Sequence, residues 1–254
     1  MELLYYVIAL IFGVLFGSFL NVLILRIPEG EDFVREPSHC PQCGKHLEFY
    51  ELIPIISYVI QKGRCRGCYA GISVQYPLIE GANSLLWLLI FWQTGFSLIS
   101  VCYALVASLL LAISVIDVRT MEIAPQLNMG ILILGVVITI LDRENFLDHI
   151  IGMVLVSSLL ILVFVSTNGK GMGGGDVKLM ATCGLVLGWQ YILLAFVLGC
   201  MTGGIVHSLR MKVSADVDNR LALGPYLSLG VLVSMLWGTD ILIWYIQDVL
   251  GQTM

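Results

Sequence analysis

Charged residues are scarce in this chain of 254 residues: they make up 12% of it, whereas hydrophobic residues make up 58%. Soluble globular proteins usually carry about 25% charged residues, so this composition excludes an ordinary soluble domain and indicates a polytopic membrane protein. The few cations form no basic patch, which argues against a nucleic-acid partner. The first apolar run lacks the basic start and the cleavage site of a signal peptide, so we interpret residues 3–25 as a retained span.

Apolar runs of membrane-spanning length recur along the rest of the chain. A span needs about 20 apolar residues, with a range of about 17 to 25. The last two runs, 222–237 and 241–250, are typical either of one interrupted span or of two short ones. We therefore predict an all-α polytopic membrane protein, in contact with lipid, that has about eight transmembrane helices. The runs are 3–25, 78–93, 97–116, 126–141, 147–166, 177–189, 190–209, 222–237 and 241–250.

One segment, residues 26–76, differs from all the others. It holds four of the seven cysteines, six of the 13 Lys and Arg residues and most of the prolines. Turn-forming residues at this density predict a polar extramembrane insert rather than a long helix. The domain hypothesis is thus a first transmembrane helix at 1–25, a cysteine-bearing insert at 26–76 and a membrane domain at 77–254.

The distribution of basic residues predicts the orientation of the chain. Because basic loops stay in the cytoplasm, the cations of the insert place it there. Counting spans from the insert puts every basic residue except Arg143 on the cytoplasmic side, including Lys170 and Arg220. The same count brings the loops at 117–124 and 167–176 to the cytoplasmic face.

Two aspartates, Asp117 and Asp176, begin or end predicted spans at that face. Ionisable groups at a membrane boundary are costly and are functional candidates. Of two carboxyl groups that face each other, one tends to hold a proton, so one can activate water while the other donates a hydrogen bond to a scissile carbonyl. This pattern favours an aspartic protease. We expect the glycines before Asp176 to admit an extended peptide and to tolerate positive φ.

Other interpretations of the same aspartates stay open. Asp117 can simply end one helix, and Asp176 can be the N-cap of the next. An ion-coupled transporter would also carry carboxylates in the membrane, although it would place them near the midplane on broken helices.

The insert contains two Cys-x-x-Cys pairs, CPQC at 40–43 and CRGC at 65–68. We call the two pairs the first knuckle (40–43) and the second knuckle (65–68). Paired knuckles of this kind predict a tetrahedral zinc site with Cys40, Cys43, Cys65 and Cys68 as ligands. The alternative is a set of free or redox-active cysteines. A metal staple is reasonable physically, because so small an insert has little hydrophobic core of its own.

The motifs together resemble the type IV prepilin leader peptidases. GSFLNVLILRIPEG at 17–30 is similar to the N-terminal signature of that family, and the segments around both cysteine pairs are similar to its cytoplasmic domain. DVRTMEIAPQLN at 117–128 and GMGGGDVKLM at 171–180 resemble its two aspartate motifs, the second of the Gly-x-Gly-Asp type.

The resemblance implies an enzyme of the bacterial inner membrane whose active site faces the cytoplasm. Such an enzyme cleaves the leader from prepilin or pseudopilin precursors, with Asp117 and Asp176 as catalytic residues, and then N-methylates the new N-terminus with S-adenosylmethionine. It also implies that the insert is associated with methyl transfer, with Asn21 and Glu80 as candidates on the donor side. A peptidase without methyltransferase activity is the nearest alternative.

Overall fold

A computed structural model describes residues 2–32, 35–169, 172–213 and 221–249. Within these ranges the regular secondary structure is helical, and β-structure is limited to isolated bridges. The prediction of an all-α protein is therefore confirmed. Lys170 and Arg220, which entered the prediction of orientation, lie outside the described residues.

Nine α-helices form the described part of the chain. They are α1 (Glu2–Glu29), α2 (Ile56–Ile60), α3 (Gln75–Thr94), α4 (Leu98–Thr120), α5 (Pro125–Leu141), α6 (Phe146–Ser166), α7 (Gly174–Leu187), α8 (Trp189–Val213) and α9 (Gly224–Trp244). Short 3₁₀ turns lie at Phe49–Glu51 and Arg143–Asn145, and a π-helical turn at Tyr245–Val249 follows α9 directly. The apolar stretch at 241–250 thus begins as a continuation of α9.

Five of the described helices are long and apolar enough to cross a membrane, namely α1, α4, α6, α8 and α9. Helix α5 is equally apolar but shorter, with 17 residues. Large apolar side chains face outward on these helices; Leu147 and Leu162 of α6, for example, are 70% and 68% exposed. Such surfaces suit a lipid environment, in which the backbone polar groups are satisfied inside each helix.

The chain divides into two compact units, Met1–Ser108 and Leu109–Met254. In the first unit, α1 packs against α3 through two glycines. A Cβ atom on Gly13 or Gly17 would meet the backbone of α3, at Ser84 and Glu80 respectively. Small residues of this kind let two membrane helices approach closely. Asn83 adds a polar contact, because its Nδ2 donates to the carbonyl oxygen of Gly13 at 2.7 Å.

In the second unit, α7 lies against α5, α6 and α8. Gly152 of α6 and Gly184 of α7 meet backbone to backbone, which leaves no space for a side chain on either residue. Helix α7 ends at Leu187, and the φ of 81° at the following residue, Gly188, lets the chain turn directly into α8. The short helix α7 is thereby held in place along most of its length.

The insert between α1 and α3 is mostly irregular, as its composition predicts. The sequence did not predict the short helix α2 or the 3₁₀ turn within it. Arg26, near the end of α1, is 8% exposed and donates to the carbonyl oxygens of Asp32, Glu36 and Pro37. Arg26 therefore holds the start of the insert in place, and it is also one of the basic residues that predict the orientation of the chain.

Candidate active site and candidate metal centre

Asp117 lies in the last turn of α4 and is only 5% exposed. A negative charge at a helix C-terminus opposes the helix dipole, so its position does not serve the stability of α4. Its carboxylate Oδ2 instead accepts a hydrogen bond of 2.8 Å from the backbone N–H of Gly224, the first residue of α9. The side chain thus contacts the start of α9 within the second unit.

Asp176 lies in the first turn of α7 and is 8% exposed. The N-cap of this helix is Gly173, so the alternative in which Asp176 itself is the N-cap is wrong. The Asp176 carboxylate accepts a hydrogen bond from the Gly173 backbone. This contact resembles half of a capping box, in which an acidic side chain in the first turn reaches back to the N-cap amide.

The structure brings the two carboxyl groups close enough for the charge of Asp117 to act on Asp176. They come from the end of α4 and the start of α7, as the sequence predicts for a shared face. Each carboxyl group lies against a backbone N–H, that of Gly224 for Asp117 and that of Gly173 for Asp176. The arrangement can perform acid–base chemistry with one carboxyl protonated and the other ionised.

The glycines before Asp176 act differently from the sequence-based expectation. None of Gly173, Gly174 and Gly175 has positive φ, so that part of the expectation is wrong. Gly175 instead allows a close approach, because a Cβ atom there would lie 3.0 Å from Cβ of Ile123. Helix α7 can therefore start directly beside the short connection between α4 and α5.

Sequence reasoning missed Gly224, the residue that donates to Asp117. A Cβ atom at this position would lie 2.6 Å from Asp117 Oδ2, so any other residue would displace the carboxylate. The available signal was the Gly224–Pro225 pair at the start of an apolar run. Because the first amides of a helix lack partners within it, a glycine there offers an accessible donor. The sequence did not indicate which acceptor this donor meets.

The four cysteines of the insert come together in the first unit. The sulfur atoms of Cys40, Cys43, Cys65 and Cys68 all lie within 4.8 Å of one another. Tetrahedral zinc with Zn–S bonds of about 2.3 Å separates its sulfurs by about 3.8 Å. The Cys40 and Cys68 sulfurs are 3.9 Å apart, so this donor set fits the size of the ion.

The two Cys-x-x-Cys pairs adopt the same backbone turn. In the first, the Cys40 N–H donates to the Lys45 carbonyl and the Gly44 N–H to the Cys40 carbonyl. In the second, Cys65 bonds in the same way to Ala70 and Tyr69. Gly44 and Tyr69 occupy equivalent positions, with φ of 68° and 60°. Two matching turns that face each other are the arrangement that a shared ion requires.

Backbone amides prepare one of these thiols for metal binding. Hydrogen bonds from the backbone of Cys68 and Gly67 lower the pKa of Cys65 to about 6. Since the thiolate is the form that binds a metal, these amides favour ligation. The donor chemistry and the geometry therefore both fit zinc, which would join the two halves of the insert.

The 3₁₀ turn at Phe49–Glu51 supports both knuckles. Glu51 is 6% exposed and binds Lys45 at 3.0 Å, which ties the turn to the first knuckle. A hydrogen bond from the Glu48 N–H lowers the pKa of Glu51, and the Lys45 ammonium group lowers it further. The Arg66 guanidinium of the second knuckle lies 5.0 Å from the centre of the Tyr50 ring, which is within the range of a cation–π contact.

Asn21 and Glu80 are both buried in the first unit. The Asn21 amide donates to the carbonyls of Gly17 and Tyr76, at 3.3 and 3.2 Å. The Glu80 carboxylate accepts the N–H of Ile55 at 2.7 Å and a hydrogen bond from Ser18. Asn21 therefore ties α1 to the first turn of α3, and Glu80 ties α3 to the insert.

A helical membrane protein with two buried, interacting carboxyl groups belongs to a class that includes membrane-embedded aspartic peptidases. Family models identify the chain more closely. The model of the bacterial peptidase A24 N-terminal domain matches residues 11–94, and the model of the type IV leader peptidase family matches residues 104–208. The chain belongs to the type IV leader peptidase family, which favours the peptidase hypothesis over a transporter.

Curated relatives match almost the whole chain. A prepilin leader peptidase/N-methyltransferase of Stutzerimonas stutzeri is 32% identical over 94% of this chain and 93% of its own length. Proteins of the same name from Pseudomonas aeruginosa and Pseudomonas putida are 31% and 30% identical, over 94% and 95% of this chain and 92% and 94% of their own lengths. No significant match to a solved structure was found.

Proposed function

We propose that this protein cleaves the leader from type IV prepilin or pseudopilin precursors and N-methylates the new N-terminus. Membership in the type IV leader peptidase family and the names of the full-length relatives support both activities. The structural observation that carries the proposal is the pair of buried carboxyl groups of Asp117 and Asp176, which interact in the second unit.

In the cleavage step, one carboxylate activates a water molecule and the other, protonated carboxyl group donates a hydrogen bond to the scissile carbonyl. The backbone amides of Gly224 and Gly173 orient Asp117 and Asp176, respectively, so that neither side chain has to reorganise during the reaction.

For methyl transfer, we propose that S-adenosylmethionine supplies the methyl group and that the zinc-bound insert is required. Asn21 and Glu80 remain our candidate residues for the methyl-transfer reaction. Their hydrogen bonds to α1, α3 and Ile55 support a positioning role, in which they hold the insert in place. An α-amine has a pKa near 8, so the new N-terminal amine needs little help from a base to lose its proton and become a nucleophile.

We further propose that the chain crosses the bacterial inner membrane about eight times with both sites at the cytoplasmic face. Helices α3, α5 and α7 would join the five longer apolar helices in this count. The domain organisation that follows is a first span at 1–25, an insert at 26–76 and a peptidase domain at 77–254. The asymmetry of basic residues supports this orientation.

Single substitutions at the two aspartates test the peptidase proposal. Asp117→Asn and Asp176→Asn should each abolish cleavage of a prepilin precursor by membranes that contain the full-length protein, as followed by the mass of the product. Glu122→Gln is the matched control, because Glu122 lies in the adjacent connection and is exposed. Normal processing by either Asn variant would contradict the proposal.

A further inference from the structure

The insert exposes a continuous run of large apolar side chains around α2. Ile53, Ile56, Val59 and Ile60 are between 41% and 67% exposed. A small extramembrane segment normally buries residues of this size, so an exposed cluster marks an interaction surface.

The charged side chains of this stretch of the chain are all cations. Between Leu52 and Ile79 the chain carries Lys62, Arg64 and Arg66 and has no Asp or Glu. These three residues line an open cavity of about 470 Å³, together with Gln61, Cys65 and Tyr69. The charge of the cavity selects an anionic partner, and its size admits a phosphate group.

The hydrogen bond between Ile55 and Glu80 determines which turn of α3 the apolar cluster lies beside. Glu80 lies five residues after Gln75, the first residue of α3, which corresponds to about 7.5 Å of helix. Ile55 therefore lies beside the second turn of α3 rather than beyond its end. At the same level, Leu78 of α3 is 64% exposed. The apolar cluster is thus placed where α3 would enter the bilayer.

The backbone at this contact has a conformation that the chain would not adopt without support. Ile55 has φ of 59° and ψ of −52°, which is a rare conformation for a β-branched residue. Such strain persists only where surrounding contacts determine it, and it is found at functional segments. Here the buried Glu80 carboxylate holds the strained residue, and its neighbours Ile53 and Ile56 are exposed.

We propose that this surface, which we call the insert face (Ile53, Ile56, Val59, Ile60, Lys62 and Arg64), lies on the membrane and binds anionic phospholipid headgroups. Its apolar side chains enter the headgroup boundary, and its cations contact lipid phosphates, as in interfacial amphipathic elements. The proposal rests on the membrane topology proposed above, but not on either catalytic activity.

Hydrogen exchange of the full-length protein in lipid nanodiscs tests this proposal. One set of discs contains phosphatidylcholine alone, and the other an equal mixture of phosphatidylcholine and phosphatidylglycerol. Peptides that cover residues 53–66 should exchange several-fold more slowly in the anionic discs. High salt should remove the difference, because it screens exposed charges. Equal exchange in the two lipids would overturn the proposal.

Variants then assign the effect to the insert face. The double variant Lys62→Gln/Arg64→Gln should lose the dependence on lipid charge while it keeps its zinc content. The matched control is Arg210→Gln/Lys212→Gln, which removes two exposed cations from the end of α8 and should leave the effect unchanged. Val59→Ser/Ile60→Ser should speed exchange in both lipids, since it removes the apolar contact.

A protein partner gives a different pattern. If the peptides at 53–66 become protected only when a precursor protein is added, and to the same extent in both lipids, the insert face is a protein-binding surface and the lipid proposal is wrong. Because exchange requires no turnover, a loss of peptidase activity in any sample would not alter this result.

Discussion

The two candidate sites differ in how far apart their residues lie along the chain. Each half of the cysteine site forms within a turn of six residues, from Cys40 to Lys45 and from Cys65 to Ala70, and is held by its own backbone hydrogen bonds. The carboxyl site combines Asp117 from α4, Asp176 from α7 and the Gly224 amide from α9. A metal can complete the first site locally, whereas the second depends on the packing of three helices.

This difference leads us to expect that each site can be damaged without the other. Loss of a thiol should weaken the insert and leave the helices of the second unit in place. A change at a helix contact should displace a carboxyl group and leave the zinc content unchanged. The following predictions test that separation, from the largest expected effect to the smallest.

The largest effect is expected from the carboxyl pair. Asp117→Asn, Asp176→Asn and the double variant should each lower cleavage by about a thousandfold or more, because the two groups act as one unit. The double variant should therefore be no worse than the single ones. Cleavage rates of a precursor peptide, with zinc analysis of the same samples, measure this. Multiplicative losses in the double variant would show that the carboxyl groups act independently.

Removal of a metal ligand should affect mainly the other activity. Cys40→Ser and Cys65→Ser should reduce bound zinc from about one ion per chain, the number that four thiolates hold, and reduce methylation more than cleavage. Mass spectrometry of the mature N-terminus distinguishes the two steps. The control is Cys200→Ser, which removes an exposed thiol from α8. Full zinc occupancy in both ligand variants would rule out the metal site.

Gly224→Ala tests the contact between helices in the carboxyl site. The added methyl group would overlap Asp117 Oδ2. A displacement of this size should lower cleavage about 100-fold while methylation of a precleaved peptide continues. Gly204→Ala is the matched control, because an added Cβ there has no atom within 4 Å. Unchanged cleavage by the Gly224 variant would mean that the amide does not position Asp117.

Glu80 gives the smallest and most discriminating effect. If it positions Ile55, Glu80→Gln keeps an oxygen that accepts the amide and should retain methylation, whereas Glu80→Ala should lower methylation several-fold. Cleavage should change in neither variant. Equal loss of methylation in both variants would instead indicate that the negative charge contacts the methyl donor. Steady-state methylation of a precleaved peptide separates these outcomes.

Much of this organisation could be predicted from the sequence. Long apolar runs predicted the helices, because the membrane leaves few alternatives to helical backbone. Their ends were less predictable: α1 continues to Glu29, past the predicted residue 25, and α3 begins at Gln75 instead of residue 78. Polar residues at helix ends extend a helix wherever tertiary contacts satisfy them, and Arg26 of α1, which donates to the carbonyl oxygen of Glu36, is one such case.

Other features could not be predicted from local patterns. The burial of Asp117 against Gly224 depends on where α9 begins relative to α4, which no residue near Asp117 indicates. The strained Ile55 lies in an ordinary apolar stretch, and its conformation depends on a carboxylate 25 residues later in the chain. The predicted positive φ in the glycine run was wrong, and at Gly175 close packing against Ile123, rather than backbone geometry, favours glycine.

The sequence by itself determined the helical membrane class, the extramembrane insert and the residue types of both sites. Hydropathy and Cys-x-x-Cys spacing act over short distances, so they can be recognised without knowledge of the fold. Only the tertiary structure decided that Asp117 and Asp176 interact, that a Gly224 amide orients the first of them and that Glu80 holds the insert beside α3. These contacts join residues distant in sequence, and their geometry depends on how the helices pack.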